Sequence, residues 1–388
     1  MKVYLKKDIK NRIKNGHPWI YENEIESLDE NIKNGDIVDV FNHENHFIGK
    51  GYINFNSKIR VRLLTRKNEK IDKEFFKKRL LDALKRRRTN EESFRVVFSE
   101  ADNLPGLIVD KFDKFLIMEI NTLGIEKFKT QIIDILKDFF NPLGIYEKSD
   151  SSSRLKEGLN IRTEWVYGKG PELIPFEING IKFFADTKGQ KTGAFLDQRF
   201  NALSLKNYID KDKIGLDCFC YTGNFGLHML KFGAKHVTFV DYSQRAIEIT
   251  KLTLKENGFD NYELIVGNAF DILKNFDKNS MYFDVISIDP PSFAKSASNK
   301  TSALRGYKEI NLRAMKILKN NGILATSSCT QVISESEFIN TIFSSASDLN
   351  KLARVLYKGG QPYDHPQVLN IFETQYLKFL LLEIENLK

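Results

Sequence analysis

Alternating hydrophobic and polar positions characterise the first part of the chain. Three short segments alternate in this way and are bounded by turn residues: 36–40, 47–53 and 59–64. In the third segment, Arg60 and Arg62 lie on the face opposite the apolar side chains. The pattern predicts a small β-barrel over residues 1–70 with a basic, exposed strand. Two arginines on one face are also common on solvated strands, and RNA binding by this pair is a prediction.

Residues 71–185 predict a second unit of mixed structure. It opens with a helical pattern from about Asp72 to Arg88, whose basic end, Lys85–Arg88, we expect to face solvent. Two hairpin patterns follow, one around Phe112–Lys114 and one at Asn179-Gly180, which is a type I′ turn signal. Apolar residues at helical spacing lie between the hairpins. The order strand, strand, helix, strand, strand predicts an α+β domain.

From residue 186 to 388, strand and helix patterns alternate. Five segments are apolar enough for buried strands: 214–218, 236–241, 262–266, 284–289 and 323–327. Helical segments separate them, and Ser334 with Glu337 forms a capping-box signal for one helix. The alternation predicts an α/β domain with a doubly wound, mostly parallel sheet. The last two strand patterns, 352–357 and 376–384, have no helix between them and predict an antiparallel pair at the sheet edge.

Composition and charge narrow the class of protein. Lys and Arg number 59 against 51 Asp and Glu, a net charge of +8 that suits a polyanionic partner and also an ordinary solvated surface. No apolar run is long enough for a membrane span, and the N-terminus lacks a secretory signal. The three cysteines, Cys218, Cys220 and Cys329, cannot build a disulfide framework and match no common zinc spacing. We therefore expect a cytoplasmic protein without a metal.

Acidic residues end the first two strands of the α/β pattern. Ligands of open α/β sheets bind beyond the carboxyl ends of the strands. Asp217 ends the first strand, and Asp241 ends the second, 24 residues later, where a carboxylate can accept hydrogen bonds from both ribose hydroxyls of an adenosine. Gly223 and Gly226 form only G-x-x-G, without the third glycine of a phosphate-cradling loop. This favours a cofactor without a pyrophosphate and disfavours an NAD-type oxidoreductase.

The fourth and fifth strands lead into candidate reactive groups. Asp289-Pro290-Pro291 predicts a rigid, exposed loop where a substrate base could meet the cofactor. Cys329 follows the fifth strand at the same sheet edge, before a helix whose N-terminus would favour a thiolate. Cytosine C5 is not nucleophilic until a nucleophile adds to C6, and a thiolate is suited to that addition. A small buried apolar cysteine is the alternative.

Seven motifs spread over the chain, and together they resemble one family. They cover 16–21, 104–110, 190–199, 217–225, 289–296, 328–330 and 364–366. The string QKTGAFLDQR over 190–199 is the most specific of them, whereas Asp-Pro-Pro is shared by many methyltransferases. The chain resembles the bacterial large-subunit rRNA cytosine-C5 methyltransferase family, whose members carry an N-terminal PUA domain. Asn268 departs from it, since the family usually has Asp there, and Ser-Cys-Thr at 328–330 replaces the usual Ser-Cys-Ser.

The resemblance implies an RNA methyltransferase that uses S-adenosyl-L-methionine (SAM) to form 5-methylcytidine in large-subunit rRNA. It implies a PUA-like domain, a middle α+β domain and a class I, Rossmann-like methyltransferase domain. Cys329 and Asp289 are the expected catalytic residues, and Lys295 joins the two arginines as an expected RNA contact. The expected cofactor contacts are Gln198, Arg199, Asp217, Phe219, Tyr221, Thr222, Gly223, Asp241, Asn268 and Asp289.

Two other functions stay open at this point. A methyltransferase of the same fold could act on guanine, in which case Cys329 would be dispensable. A non-catalytic RNA-binding or ribosome-assembly factor could also keep the fold, although the intact acidic strand ends and Cys329 argue against it. The expected partner is rRNA rather than a membrane, and a homodimer stays open.

Overall fold

The computed structural model describes residues 1–7, 11–89, 91–294 and 296–387, and the chain forms two compact units. The first unit comprises Met1–Phe176, Ala185–Phe195 and Tyr363–Thr374. The second comprises Glu177–Phe184, Leu196–Pro362 and Gln375–Lys388. The predicted division into three domains stays a prediction. Lys295, an expected RNA contact, lies outside the described residues.

A six-stranded sheet begins the first unit. Its elements are β1 (Lys2–Leu5), α1 (Asn11–Lys14), β2 (Trp19–Ile20), β3 (Ile25–Leu28), β4 (Ile37–Phe41), β5 (Phe47–Ile53) and β6 (Val61–Thr65). The strand order is β2-β6-β5-β4-β1-β3, with β1 and β4 parallel and the other pairs antiparallel. The alternating apolar side chains of these strands, such as Val38 and Val40, form one core. The three predicted strands are confirmed.

The prediction of a basic, exposed strand over 59–64 is wrong. Every residue of β6 is buried, and Arg60 and Arg62 are only 8% and 7% exposed. Arg62 pairs with Glu157 at 2.9 Å, and Arg60 pairs with Glu22 at 2.6 Å. Buried guanidinium groups need such partners because an unpaired buried charge is costly. The structure therefore gives RNA binding by these two arginines no support.

A five-stranded sheet with helices follows in the same unit. Its elements are α2 (Lys73–Arg87), β7 (Ser93–Phe98), β8 (Leu107–Phe112), β9 (Phe115–Ile120), α3 (Leu123–Lys127), α4 (Lys129–Phe140), β10 (Gly144–Ser149), α5 (Ser152–Lys156) and β11 (Arg162–Gly168). The order is β11-β10-β9-β8-β7. The hairpin around Phe112–Lys114 is confirmed, and the predicted helix is present as two pieces, α3 and α4. The strands β7, β10 and β11 were not predicted.

The basic end of α2 is only partly solvated. Asp72 caps the start of this helix by accepting a hydrogen bond from Phe75 N at 3.2 Å. Lys85, Arg86 and Arg88 are exposed as expected. Arg87, however, is 1% exposed and forms an ion pair with the fully buried Asp102. For Arg87 the expectation of a solvated side chain is wrong, because this residue lies on the buried face of the helix together with Leu80 and Ala83.

Strands β12 (Leu173–Ile178) and β13 (Ile181–Asp186) form a two-stranded hairpin. Its two turn residues, Asn179 and Gly180, have φ angles of 53° and 72°. A type I′ turn requires positive φ at both central positions, which is why asparagine followed by glycine predicts it. The predicted hairpin is confirmed.

A seven-stranded sheet flanked by helices builds the second unit. Its strands are β14 (Ile214–Cys218), β15 (His236–Asp241), β16 (Tyr262–Val266), β17 (Phe283–Ile288), β18 (Leu318–Ser328), β19 (Lys351–Gly360) and β20 (Lys378–Asn386). Its helices are α6 (Arg199–Leu203), α7 (Asn224–Lys231), α8 (Gln244–Glu256), α9 (Ala269–Lys278), α10 (Lys300–Lys316) and α11 (Glu335–Ser347). Within the described residues, no helix combines the length and the apolar character that crossing a membrane requires.

The strand order β16-β15-β14-β17-β18-β20-β19 confirms the predicted α/β architecture. Strands β14 to β18 are parallel, and β20 runs antiparallel between β18 and β19, as predicted for the two late strands. The order reverses at β14, whose neighbours are β15 and β17. Such a switch point leaves a crevice at the carboxyl ends of the strands, where open α/β sheets bind their ligands.

Candidate functional site

A tightly bent loop follows β14 at the switch point. Phe219, Tyr221 and Gly223 have φ angles of 60°, 48° and 86°, in the left-handed region that non-glycine residues rarely adopt. Gly226 lies in the first turn of α7, and a Cβ there would lie against Cε1 and only 2.6 Å from Cζ of Phe239 on β15. Gly226 therefore lets α7 pack against the sheet. In the G-x-x-G motif, the first glycine, Gly223, permits the turn, and the second, Gly226, permits the close packing of α7.

Asp217 anchors that loop from the end of β14. Its side chain is buried and accepts hydrogen bonds from Gly226 N at 2.8 Å and from the Ser287 hydroxyl. Burial raises the pKa of Asp217 to about 7, while the two hydrogen bonds lower it. Asp217 thus fixes the start of α7 to the sheet, and its contact with a cofactor stays a prediction.

Asp241 joins the loops after β14 and β15. One of its carboxylate oxygens accepts a hydrogen bond from Tyr221 N and the other from Ser243 N, each at 2.9 Å. The residue is partly exposed at the carboxyl end of β15. Each carboxylate oxygen can accept more than one hydrogen bond, so a pair of hydroxyl groups can still bind.

Three further expected cofactor contacts are held by hydrogen bonds within the second unit: Gln198, Arg199 and Asn268. Gln198 is buried and its Oε1 accepts from Asn201 Nδ2 at 2.6 Å. Arg199 is fully buried at the start of α6, and its Nε donates to Leu196 O at 3.2 Å. Asn268 is exposed and caps α9 by accepting from Phe270 N at 2.9 Å. Their contacts with a cofactor stay predictions.

Two buried amide atoms in this region lack a hydrogen-bond partner within the described part of the chain. They are Asn201 Oδ1 and Asn224 Nδ2. Asn201 lies on α6, which packs against α7, and Asn224 is the first residue of α7. Asn201 Oδ1 lies against Gly359 of β19, whereas Asn224 Nδ2 is an unsatisfied donor at the start of α7, and buried donors are normally satisfied. The carboxylate at the amino-acid end of SAM is an acceptor that this donor fits.

Asp289 and Cys329 meet at the carboxyl ends of β17 and β18. The Ser327 hydroxyl donates a hydrogen bond to Asp289, and the Cys329 thiol donates to Pro290 O over 3.9 Å. All three cysteines are described, and only Cys329 is partly exposed. Burial raises the pKa of the Cys218 and Cys220 thiols, which therefore stay protonated. Cys329 is the cysteine that a substrate can reach.

Lys378 was not predicted from the sequence, and it lies beside Cys329. It faces Ser328 in the antiparallel pair of β20 and β18, and its Nζ donates to Thr330 O at 2.7 Å and Tyr376 O at 2.8 Å. Burial lowers the pKa of Lys378 to about 8, while the neighbouring Cys329 raises it. The sequence did offer one sign of this residue, because Lys378 is a charged side chain at the start of a strand that continues with apolar residues.

The expected help of a helix N-terminus at Cys329 is not found. The next helix, α11, begins only at Glu335. Its first turn carries Glu335 and Glu337, and the capping box of Ser334 and Glu337 satisfies its backbone. Because the dipole effect falls off within one turn, a positive charge near the thiol has to come from a side chain such as Lys378.

Ser287 and Ser327 were also missed, although each orients an aspartate of the site. Ser287 is buried in β17 and Ser327 in β18. A buried hydroxyl needs a hydrogen-bond partner, so a serine inside a buried strand next to an acidic strand end was a usable signal.

Two protein-family models match the chain: a PUA-like domain over residues 3–66 and a methyltransferase domain over residues 209–370. Ribosomal RNA large subunit methyltransferase I of Aliivibrio fischeri (strain MJ11) is 36% identical over 386 residues, 97% of each chain. The protein of that name from Photobacterium profundum is 35% identical over 387 residues, again 97% of each chain.

Solved structures share the fold. SMU.776 complexed with SAH superimposes with a TM-score of 0.84 at 23% identity, over 99% of this chain and 100% of that chain. Trm5b from Pyrococcus abyssi gives a TM-score of 0.53 at 16% identity, over 71% of this chain and 74% of that chain. At these identities the likeness concerns the fold alone.

Proposed function

Since the chain belongs to the ribosomal RNA large subunit methyltransferase I family, we propose that it methylates C5 of a cytosine in large-subunit rRNA. The relatives are named for methylation of this RNA, and the present site supports a cysteine-dependent reaction. The main observation is the pair of Cys329 and Asp289 at the carboxyl ends of adjacent strands, beside the loop that follows β14. Cys329 is the partly exposed cysteine, as a nucleophile must be.

SAM is the cofactor, and when bound it supplies an electrophilic methyl group. Asp241 would accept hydrogen bonds from its ribose hydroxyls, and Asn224 offers a donor to the carboxylate of its amino-acid end. Asp217 positions the cofactor loop through its hydrogen bond with Gly226 N and is also a proposed cofactor contact. The remaining proposed contacts are Gln198, Arg199, Phe219, Tyr221, Thr222, Gly223 and Asn268.

The chemistry of cytosine assigns the reactive residues their roles. The Cys329 thiolate forms a bond to C6 of a cytosine that has left its stack, and the electron pair of the C5–C6 bond makes C5 nucleophilic. C5 would take the methyl group from the sulfonium of SAM, which would leave as the thioether S-adenosylhomocysteine. A general base accepts the C5 proton, and the C5–H electron pair restores the C5–C6 double bond as the C6–S bond breaks and releases the thiolate. Asp289, held by Ser327, hydrogen-bonds the edge of the base during these steps. The Lys378 ammonium favours the thiolate form of Cys329.

The PUA-like domain would contribute phosphate contacts to the RNA. Such contacts fix orientation and supply affinity that falls as salt rises, without reading the base sequence. This assigns binding of the RNA to the first unit and the methyl transfer to the second.

Covalent trapping tests the proposed chemistry. RNA that contains 5-fluorocytidine cannot lose its C5 substituent as a proton, so wild-type protein with SAM should form an adduct that survives denaturing electrophoresis. We expect Cys329→Ser to form no adduct and to lose nearly all turnover. Cys218→Ala, which removes a buried thiol, is the matched control and should keep the adduct. Full turnover by Cys329→Ser would instead indicate a methyltransferase that acts on guanine.

A further inference from the structure

A cavity of about 360 Å³ opens on the first unit, between the chain that follows β6 and the helix α2. Four cationic side chains line it: Arg66, Lys67, Lys78 and Arg79. Two carboxylates, Glu69 and Asp82, also line it, and Glu69 already accepts a hydrogen bond from Thr65 Oγ1 at 2.5 Å. The lining therefore carries an excess of positive charge.

Arg79 is the least exposed of these cations. Its Nη2 donates to Leu64 O at 2.9 Å, and its guanidinium lies 4.9 Å from the centre of the Phe75 ring. Its Nε is buried and has no hydrogen-bond partner among the described residues. Burial lowers the pKa of Arg79, because part of the hydration of the charge is lost. The guanidinium is thus held in place but incompletely satisfied.

The cations of the cavity differ from the buried arginines elsewhere in the same unit. Arg62, Arg87 and Arg95 pair with Glu157, Asp102 and Asp110. Across the described ranges, by contrast, none of the four cavity cations has a carboxylate at salt-bridge distance. Of the four, only Arg79 is partly buried, and Glu69 and Asp82 act on its charge without pairing with it. A partly desolvated cation without a directly bonded counter-ion is costly and is normally compensated. An anion that enters the cavity would supply that compensation.

We propose that this cavity binds a phosphate group of an RNA backbone, with Arg79 and Lys78 as its main contacts. The inference rests on the proposed function, since the RNA substrate supplies the phosphodiester. A phosphodiester offers only acceptor oxygens, which match a site whose cations offer only donors. The guanidinium fork of Arg79 fixes the phosphate, and the exposed ammonium of Lys78 adds charge at the rim. A free phosphate ion has the same chemistry and is the other source to be distinguished.

Binding of a fluorescein-labelled large-subunit rRNA transcript, followed by anisotropy over a series of KCl concentrations, tests the proposal in the full chain. We expect Arg79→Met and Lys78→Met each to weaken RNA binding about fivefold near 0.1 M salt. Each should also reduce the slope of log affinity against log salt concentration by about one unit, the value for one phosphate contact. Lys78 is exposed, so its variant folds even if the Arg79 variant does not. Lys77→Met, on the same helix but outside the cavity lining, is the matched control and should bind like wild type.

The outcomes separate this proposal from the proposed function. If both variants bind the RNA with the affinity and the salt dependence of the wild type, the proposed phosphate site is overturned, while the methyltransferase assignment stays intact. Titration with inorganic phosphate forms the second arm. Phosphate binding that Arg79→Met abolishes, together with unaffected RNA binding, would overturn the RNA assignment in favour of a free ion. Absence of RNA binding by the wild type would contradict the proposed function itself.

Discussion

Asp217 is a carboxylate that the second unit buries completely, and its ionisation should be visible in the stability of the protein. Its pKa is about 7 in the fold against an ordinary value of 3.8, so the folded chain holds the proton more tightly than the unfolded chain. The associated stability is fully present below about pH 4 and is lost as the pH rises through about 7. Asp217→Asn removes this titration.

We therefore expect the stability of Asp217→Asn, relative to wild type, to be higher at pH 8 than at pH 5. Each pH unit between 5 and the folded-state pKa of about 7 is equivalent to about 1.4 kcal/mol, so the difference should reach roughly 2.5 kcal/mol. Thermal melts of both proteins at the two pH values measure it. A difference in melting temperature that does not vary with pH would show that Asp217 ionises normally in the fold.

A second prediction at the residue scale concerns Asp241 and the affinity of the protein for SAM. Asp241→Ala removes a carboxylate that orders two loops and that we expect to bind the ribose hydroxyls. Loss of charge-assisted hydrogen bonds should raise the Kd for SAM by about 10- to 100-fold, as titration calorimetry would show. Asp260→Ala, at an exposed position in the same unit, is the control and should bind normally. An unchanged Kd for Asp241→Ala would remove this residue from the cofactor site.

At the scale of elements, the packing of α7 against β15 depends on Gly226. A methyl group at this position would overlap the buried ring of Phe239. Overpacking of this kind costs about 1–3 kcal/mol, and a displaced α7 would also lose the Gly226 hydrogen bond to Asp217. We expect Gly226→Ala to lower the melting temperature and weaken SAM binding. Phe239→Leu in the same chain should recover part of both losses, whereas wild-type behaviour of Gly226→Ala would contradict the packing argument.

A second prediction at this scale concerns the stability of α11, which depends on the cap at its N-terminus. Ser334 and Glu337 form a reciprocal capping box at its N-terminus. Ser334→Ala should cost about 1 kcal/mol of stability, measured by denaturant unfolding, and should leave methyl transfer unchanged. Ser347→Ala, at the exposed end of the same helix, is the control and should cost much less. Equal stability of the two variants would mean that the box does not stabilise the helix.

Local patterns predicted the parallel strands and the positions of the acidic residues at their ends, and the reason is geometric. Parallel strands share one edge, so Asp217, Asp241 and Asp289 had to gather there once the alternation of strands and helices was recognised. The failures involve partners that are distant in sequence. Glu157, which makes Arg62 a buried residue, lies far beyond β6, and Lys378 reaches Cys329 only through the pairing of β18 and β20.

At the scale of the whole molecule, the two units should respond differently to salt. Binding of RNA through phosphates releases counter-ions, whereas SAM carries little net charge. We expect the affinity for the rRNA transcript to fall at least tenfold between about 50 and 200 mM salt and the affinity for SAM to stay nearly constant. Parallel titrations of one preparation would show this. A steep salt dependence for SAM would indicate that ionic contacts dominate the cofactor site.

The central claim is the transfer of a methyl group to cytosine C5 of large-subunit rRNA. The most direct test is incubation of unmodified large-subunit rRNA with the protein and SAM, followed by mass spectrometry of the nucleosides. We predict a single new 5-methylcytidine per RNA with the wild type and none with Cys329→Ser. New methylguanosine without 5-methylcytidine, or equal product from the two proteins, would contradict the account.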